Sequence, residues 1–207
     1  MFNKDTLTFL SILFVVTVNA QFGYGLTASN DMYSRYKNPT DNIASPSSGS
    51  AVLNFGVGPK IWIGGKKVSF SAEGQAVLGI FSLSTKNYKG LGSMAFPLLA
   101  KLNFKGLSTF DREGKTGFSI GGGIQYSKTE FFGLQEKYAS LGVKRSYFQT
   151  YIIQAGFGFG ISGFTAHGIV RYGFHPDDKK VNTLNIGLQY DFNLPMLKKI
   201  SNPESEL

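Results

Sequence analysis

The chain contains no cysteine. That excludes disulfides, thiolate metal sites and a cysteine nucleophile. Charge is also scarce. Asp, Glu, Lys and Arg make up 16% of the 207 residues, against about 25% in ordinary soluble domains. Histidine occurs only as His167 and His175, a spacing that gives no pair of zinc ligands. Low charge combined with 14% aromatics excludes intrinsic disorder and a coiled coil. What is abundant is glycine, with 26 residues, roughly 13% against a usual ~7%. Phe contributes 19 residues and Tyr 10. Mean hydropathy is near neutral at −0.04, so apolar and polar residues are balanced rather than separated into long runs.

Residues 1–20 read as a secretory signal peptide. Lys4 precedes an apolar run from Leu7 to Val18, and Val18-Asn19-Ala20 offers a cleavage site. The run is short for a spanning helix and gives way to Asn19 and Gln21. No later stretch reaches 18 apolar residues, so no helical span is expected. Lys4 and Asp5 leave together, so the mature net charge stays at +8. A secreted chain without cysteine fits a bacterial envelope better than a small disulfide-stapled extracellular domain.

Past residue 21 the dominant period is two, which places alternate residues on one strand face. Leu184, Ile186, Leu188, Tyr190 and Phe192 oppose Thr183, Asn185, Gly187, Gln189 and Asp191. Similar alternation starts near Phe22, Leu53, Val68, Met94, Phe118, Tyr147 and Phe164. The expectation is eight strands of about 9–14 residues, well above the ordinary ~5–6. A short helical turn is expected within 131–143. With no crossover helices, the fold class is all-β, an eight-stranded antiparallel up-and-down transmembrane β-barrel, because closure removes exposed edges. Longer connections fall at 37–51, 82–92, 128–145 and 175–182; tight turns fall at Gly64–Lys67 and Ser162-Gly163. Short periplasmic turns and longer extracellular loops are the membrane-barrel pattern. The 106–116 connection is long for a periplasmic turn.

Alternation does not say which face is outside. A lipocalin-like soluble barrel has an apolar interior, and a membrane barrel inverts this. Three features favour inversion. Strand charges are few, whereas water-washed surfaces want about 25–35%. The less apolar face is rich in Gly, Ser, Thr, Asn and Gln, which suit a narrow lumen. Tyr and Phe cluster near strand ends, as at a membrane interface. On this assignment Leu188→Arg should cost ~2–4 kcal/mol and lumen-facing Gln189→Ala much less.

Together the leader, the first strand FGYGLTAS, the strands GFSIGGGIQYS and IIQAGFGFGI, and the last strand NIGLQYDF resemble the small eight-stranded outer-membrane β-barrel proteins of Gram-negative envelopes, especially those of Bacteroidota. The resemblance covers residues 21–194. It implies an outer-membrane location with periplasmic termini. In such families the aromatic-ended last strand is read by the assembly machinery; here 15 residues follow Phe192. The expected organisation is 1–20 leader, 21–194 barrel and 195–207 periplasmic tail.

Glu73, Lys101, His167, Arg171 and Asp191 point toward the expected lumen and form a candidate charge network, since buried charges need partners. No catalytic, cofactor-binding or metal residues are assigned, and no cofactor is expected. The glycines at 121–123, 156, 158 and 160 lie within strands, unlike a phosphate-binding loop, which opens a helix. The expected role is non-enzymatic: a structural or accessory subunit of an envelope complex for secretion, assembly or transport, with its extracellular loops as interaction surface. The expected partners are outer-membrane lipid and lipopolysaccharide, with no nucleic acid. The alternatives are a barrel enzyme acting on lipid A or peptide, and a soluble lipocalin-like ligand-binding barrel.

Overall fold

The structure, a computed structural model, describes residues 20–40, 47–84 and 89–201. The leader, apart from Ala20, and residues 202–207 of the tail lie outside the described residues. The described residues form ten strands: β1 Gln21–Lys37, β2 Ser48–Ala51, β3 Asn54–Gly64, β4 Val68–Gly74, β5 Ala76–Ser84, β6 Gly90–Lys105, β7 Lys115–Leu134, β8 Phe148–Ile161, β9 Phe164–Phe174 and β10 Asn182–Asn193. Their pairings are antiparallel, and β1 closes the ring against β10 with Leu26 opposite Phe192. Closure leaves no edge to aggregate.

The described residues form ten strands rather than the expected eight because β2 lies within the expected 37–51 connection and the expected strand starting at Val68 is interrupted. β2 and β3 both pair with β1 and are separated by Val52-Leu53, where Leu53 takes φ 59°. β4 and β5 both pair with β6 and are separated by Gln75. The second break has a visible cause. Proline has no N–H for a ladder, and the flanking strands carry Pro59 and Pro97. Lys60 opposes Glu73 and Val57 opposes Ala76, so Pro59 falls in the gap between those paired stretches. On the other side Gln75 N–H donates to the Pro97 carbonyl at 3.0 Å.

Strand alternation sets the wall's polarity. Phe22, Leu26, Val57, Ile120, Ile153 and Phe157 point outward, with Phe157 68% exposed. Thr27, Lys60, Glu73, Lys101, Gln154, Gln189 and Asp191 point inward and are buried. An apolar outside around a polar inside is the reverse of a lipocalin-like barrel, so the soluble alternative is set aside. Lys105 shares the inward alternation of Lys101 but is exposed; its φ of 52° turns the chain out of the strand.

Both ends of the described chain lie at one end of the barrel, with the β3–β4, β6–β7 and β8–β9 connections. The length of the 106–116 connection is explained here. A 3-10 turn at Gly106–Ser108 folds back so that Leu107 and Phe110 become about 1% exposed. Phe110 packs with Trp62 of β3 and with Met196 of helix α2, Leu194–Ser201. At the loop end, helix α1, Glu136–Ser140, follows β7 within the 131–143 segment.

Candidate functional site

The lumen is filled by side chains that adjacent strands bring to one level. Lys60 faces Glu73 across the β3–β4 pair, and Glu73 lies near Lys101 of β6 because Ser71 is opposite Lys101. Lys60 Nζ lies 2.8 Å from Glu73 Oε2 and 2.8 Å from Asp191 Oδ2. Lys101 Nζ lies 2.8 Å from Glu73 Oε2. One carboxylate thus bridges two ammonium groups, and one ammonium bridges two carboxylates. Gln189 is the hub. Its Nε2 donates to Thr27 Oγ1 at 2.9 Å, Glu73 Oε2 at 3.0 Å and Asp191 Oδ1 at 2.9 Å. Its Oε1 accepts from Gln154 Nε2 at 3.0 Å and Lys101 Nζ at 3.4 Å. Arg171 Nε donates to Gln154 Oε1 at 2.8 Å.

The five candidate residues thus have distinct places. Glu73, Lys101 and Asp191 meet directly or through Lys60. Arg171 joins through Gln154. His167 is peripheral: Thr165 Oγ1 lies 3.4 Å from His167 Nδ1 and donates to Asp191 Oδ2 at 3.1 Å. Sequence reasoning missed Lys60, because Pro59 reads locally as a stop for the strand that starts near Leu53. The signal was present, since Lys60, Trp62 and Gly64 continue the inward alternation. It also missed Asp31, which accepts from Asn185 Nδ2 at 2.6 Å. A register shift between Asp31 and Tyr33 breaks the alternation of that strand there. Lys60, Lys101 and Arg171 are balanced by Asp31, Glu73 and Asp191, all at most 5% exposed. Balance is what a low-dielectric lumen requires, since an unpaired ion there is costly.

The cluster does not assemble a hydrolytic relay. Such a relay needs a nucleophile bonded to a base that is itself oriented by a third group. Here Asp191 touches Thr165 rather than His167. His175, in the β9–β10 loop, accepts from the Asp177 and Asp178 N–H groups at 3.2 Å instead. Among the described residues no group of three or more His, Asp or Glu is placed to hold a metal. Gly158, considered as part of a phosphate loop, sits in β8, where a Cβ would lie 2.4 Å from His167 Cα. Its role is close strand approach.

The two ends differ. Trp62, Leu107 and Phe110 close the terminal end. Toward the loop end a cavity of about 40 Å³ remains, lined by Asn54, Gln125, Arg171 and Thr183. Each contributes a polar atom with no protein partner, and the volume suits a few waters. Above it, Glu130 ties the mouth together. Its carboxylate accepts from Ser47 Oγ at 2.6 Å and Arg145 Nε at 3.1 Å, and Asn38 Nδ2 donates to Ser47 Oγ at 3.1 Å. A cavity of about 420 Å³ opens beside it, between Asn38–Thr40 and Lys144–Phe148.

Fold and site together define a class: a closed, up-and-down antiparallel β-barrel with an apolar wall and a charge-balanced, filled interior. No protein-family model matches the chain, and no curated protein matches it. Among solved structures it is similar to Neisserial surface protein A at 13% identity and TM-score 0.44, covering 85% of this chain and 99% of that one. It is also similar to the N-terminal β-barrel domain of Pseudomonas aeruginosa OprF, at 13% and 0.39 over 82% and 99% of the two chains. A third is Ail, the attachment invasion locus protein of Yersinia pestis, at 13% and 0.40 over 83% and 99%.

Proposed function

We propose that the protein is an integral β-barrel of the bacterial outer membrane, non-enzymatic and closed to through-flow. The observation that carries this is the inverted polarity: an outward belt of exposed Phe, Leu, Ile and Val around a sealed ionic lumen. In water such a belt would drive association; in lipid it is the low-energy state. The termini face the periplasm, and the longer loops face out. Those loops, with the Glu130-braced mouth, serve as the contact surface of a structural or accessory subunit in an envelope complex, beside lipopolysaccharide. Membrane fractionation should recover the chain in the outer membrane, and recovery in the soluble periplasm overturns the reading. Proteoliposomes carrying it should not swell in small sugars, and swelling overturns closure. Purification from solubilised membranes should bring a stoichiometric partner, and a consistently partner-free monomer removes the subunit role.

A further inference from the structure

Four lysines gather on one side of the terminal rim. Lys66 and Lys67 lie in the β3–β4 turn, Lys105 at the end of β6 and Lys115 at the start of β7. All four are exposed and line a cleft of about 740 Å³. The cleft is built rather than accidental. The Lys105 N–H donates to the Lys67 carbonyl at 2.8 Å, and Ser108 Oγ donates to the Lys66 carbonyl at 2.7 Å. Asp111 and Glu113 each sit 2.8 Å from Lys115 Nζ, which leaves Lys66, Lys67 and Lys105 as the cations facing the cleft. The β8–β9 turn, Ser162-Gly163, brings no charge to the rim.

The wall beneath this cleft is also distinctive. Phe104 and Phe118 stack with centroids 4.4 Å apart at its edge. Across β4, β6, β7 and β8, Val68, Phe104, Phe118 and Phe157 stand in register. Aromatic rows of this kind mark the hydrocarbon boundary. The lysines lie one to three residues rimward of it, about 3–10 Å at ~3.3 Å per residue, at headgroup depth. Four residues deeper on the same strands is a shallow apolar groove of about 600 Å³, floored by Ala72, Ala100 and Gly122. Ile61 and Ile153 continue that register row on either side. Other small outward residues, Ala28, Ala155, Ala166 and Gly168, each have bulky partners in register.

We propose that this face binds one anionic phospholipid of the inner leaflet. Its phosphate sits among Lys66, Lys67 and Lys105, and an acyl chain passes the Phe104–Phe118 stack into the Ala72–Ala100–Gly122 groove. This rests on the membrane reading above. The lysines and the groove are independent features, and a phospholipid is the ligand that uses both at that separation. A free phosphate would use only the first.

The test is native mass spectrometry of the full chain in nanodiscs of phosphatidylethanolamine doped with phosphatidylglycerol. The wild type should retain phosphatidylglycerol over phosphatidylethanolamine on the order of tenfold. K66Q/K67Q/K105Q should abolish the preference, and K66Q/K67Q should weaken it, while K179Q/K180Q at the loop end, with the same loss of two charges as K66Q/K67Q, should keep it. Ala100→Phe, which fills the groove on an exposed position, should weaken phosphatidylglycerol retention without changing competition by inorganic phosphate. Equal retention of both lipids by the wild type, retention by the triple variant, or complete displacement by inorganic phosphate would each overturn the proposal. A chain that fails to insert even into phosphatidylethanolamine bilayers would instead overturn the membrane reading. Heat-modified gel mobility shows that each variant is folded.

Discussion

At the scale of single residues, Gln189 and Glu73 decide how much the interior tolerates. Gln189 faces the lumen as its alternation implies, but it is not the mild position that implies. It is fully buried, and its amide donates to Thr27, Glu73 and Asp191. Gln189→Ala should therefore cost about 2–3 kcal/mol, since hydrogen bonds to charged groups are worth ~1.5–3. Ser119→Ala is the mild lumen change, expected below about 1 kcal/mol, because its hydroxyl has no protein partner. Equal losses for the two in urea unfolding would mean that the hub is not one. Glu73→Gln removes the carboxylate 2.8 Å from Lys101 and leaves its ammonium to neutral amide oxygens such as that of Gln189, at 3.4 Å. It should cost about 3–5 kcal/mol, the penalty for orphaning a buried charge. A loss under ~1 kcal/mol would show that the lysines are hydrated.

At the scale of elements, the informative segment is the β6–β7 connection. Its length reads as an irregularity in sequence because a periplasmic turn needs only to reverse the chain. Its apolar Leu107 and Phe110 find burial only when the turn folds into the barrel end, where Phe110 meets Trp62 and Met196. Phe110→Ala should cost about 3–5 kcal/mol and leave proteoliposomes unswollen, because Lys60, Lys101 and Arg171 still fill the lumen. Swelling in that variant would make the aromatic plug, rather than the ionic lumen, the barrier. The same turn gives a pH marker. The hydrogen bond from Lys115 holds Asp111 below the ordinary carboxylate range. A depressed folded value means that the contribution is present at neutral pH and lost as pH falls through it. The Glu113 amide donates to Asp111 Oδ1 at 3.2 Å, so its NMR titration should have a midpoint below ~3.9. A midpoint at or above that would mean the contact is absent.

At the scale of the whole molecule, the wall's polarity is the property under test. Leu188 is 38% exposed near mid-strand on the outer face, and Leu188→Arg should cost ~2–4 kcal/mol in a bilayer. The same change in a water-facing wall would cost almost nothing, so unfolding from vesicles discriminates directly. Closure of β1 on β10, which pairs residues as distant in the chain as Gly25 and Asn193, is what makes each of these losses global rather than local.

The sequence by itself determined the strand period, the two faces, closure as the way to remove edges, and the inward direction of Glu73, Lys101, His167, Arg171 and Asp191. These follow from alternation, which is a local property of the backbone. The interruptions at Leu53 and Gln75, and the membership of Lys60 and Asp31, lay beyond it. Proline in a strand reads locally as a stop, and only its neighbours across the sheet show that the strand continues past the gap. The pairing of Lys60 with Asp191, the plug made of Phe110, Trp62 and Met196, and the lysine cleft above a groove of small residues were decided by the tertiary structure alone. Each joins residues from distant strands, and only ring closure and register set which of them meet.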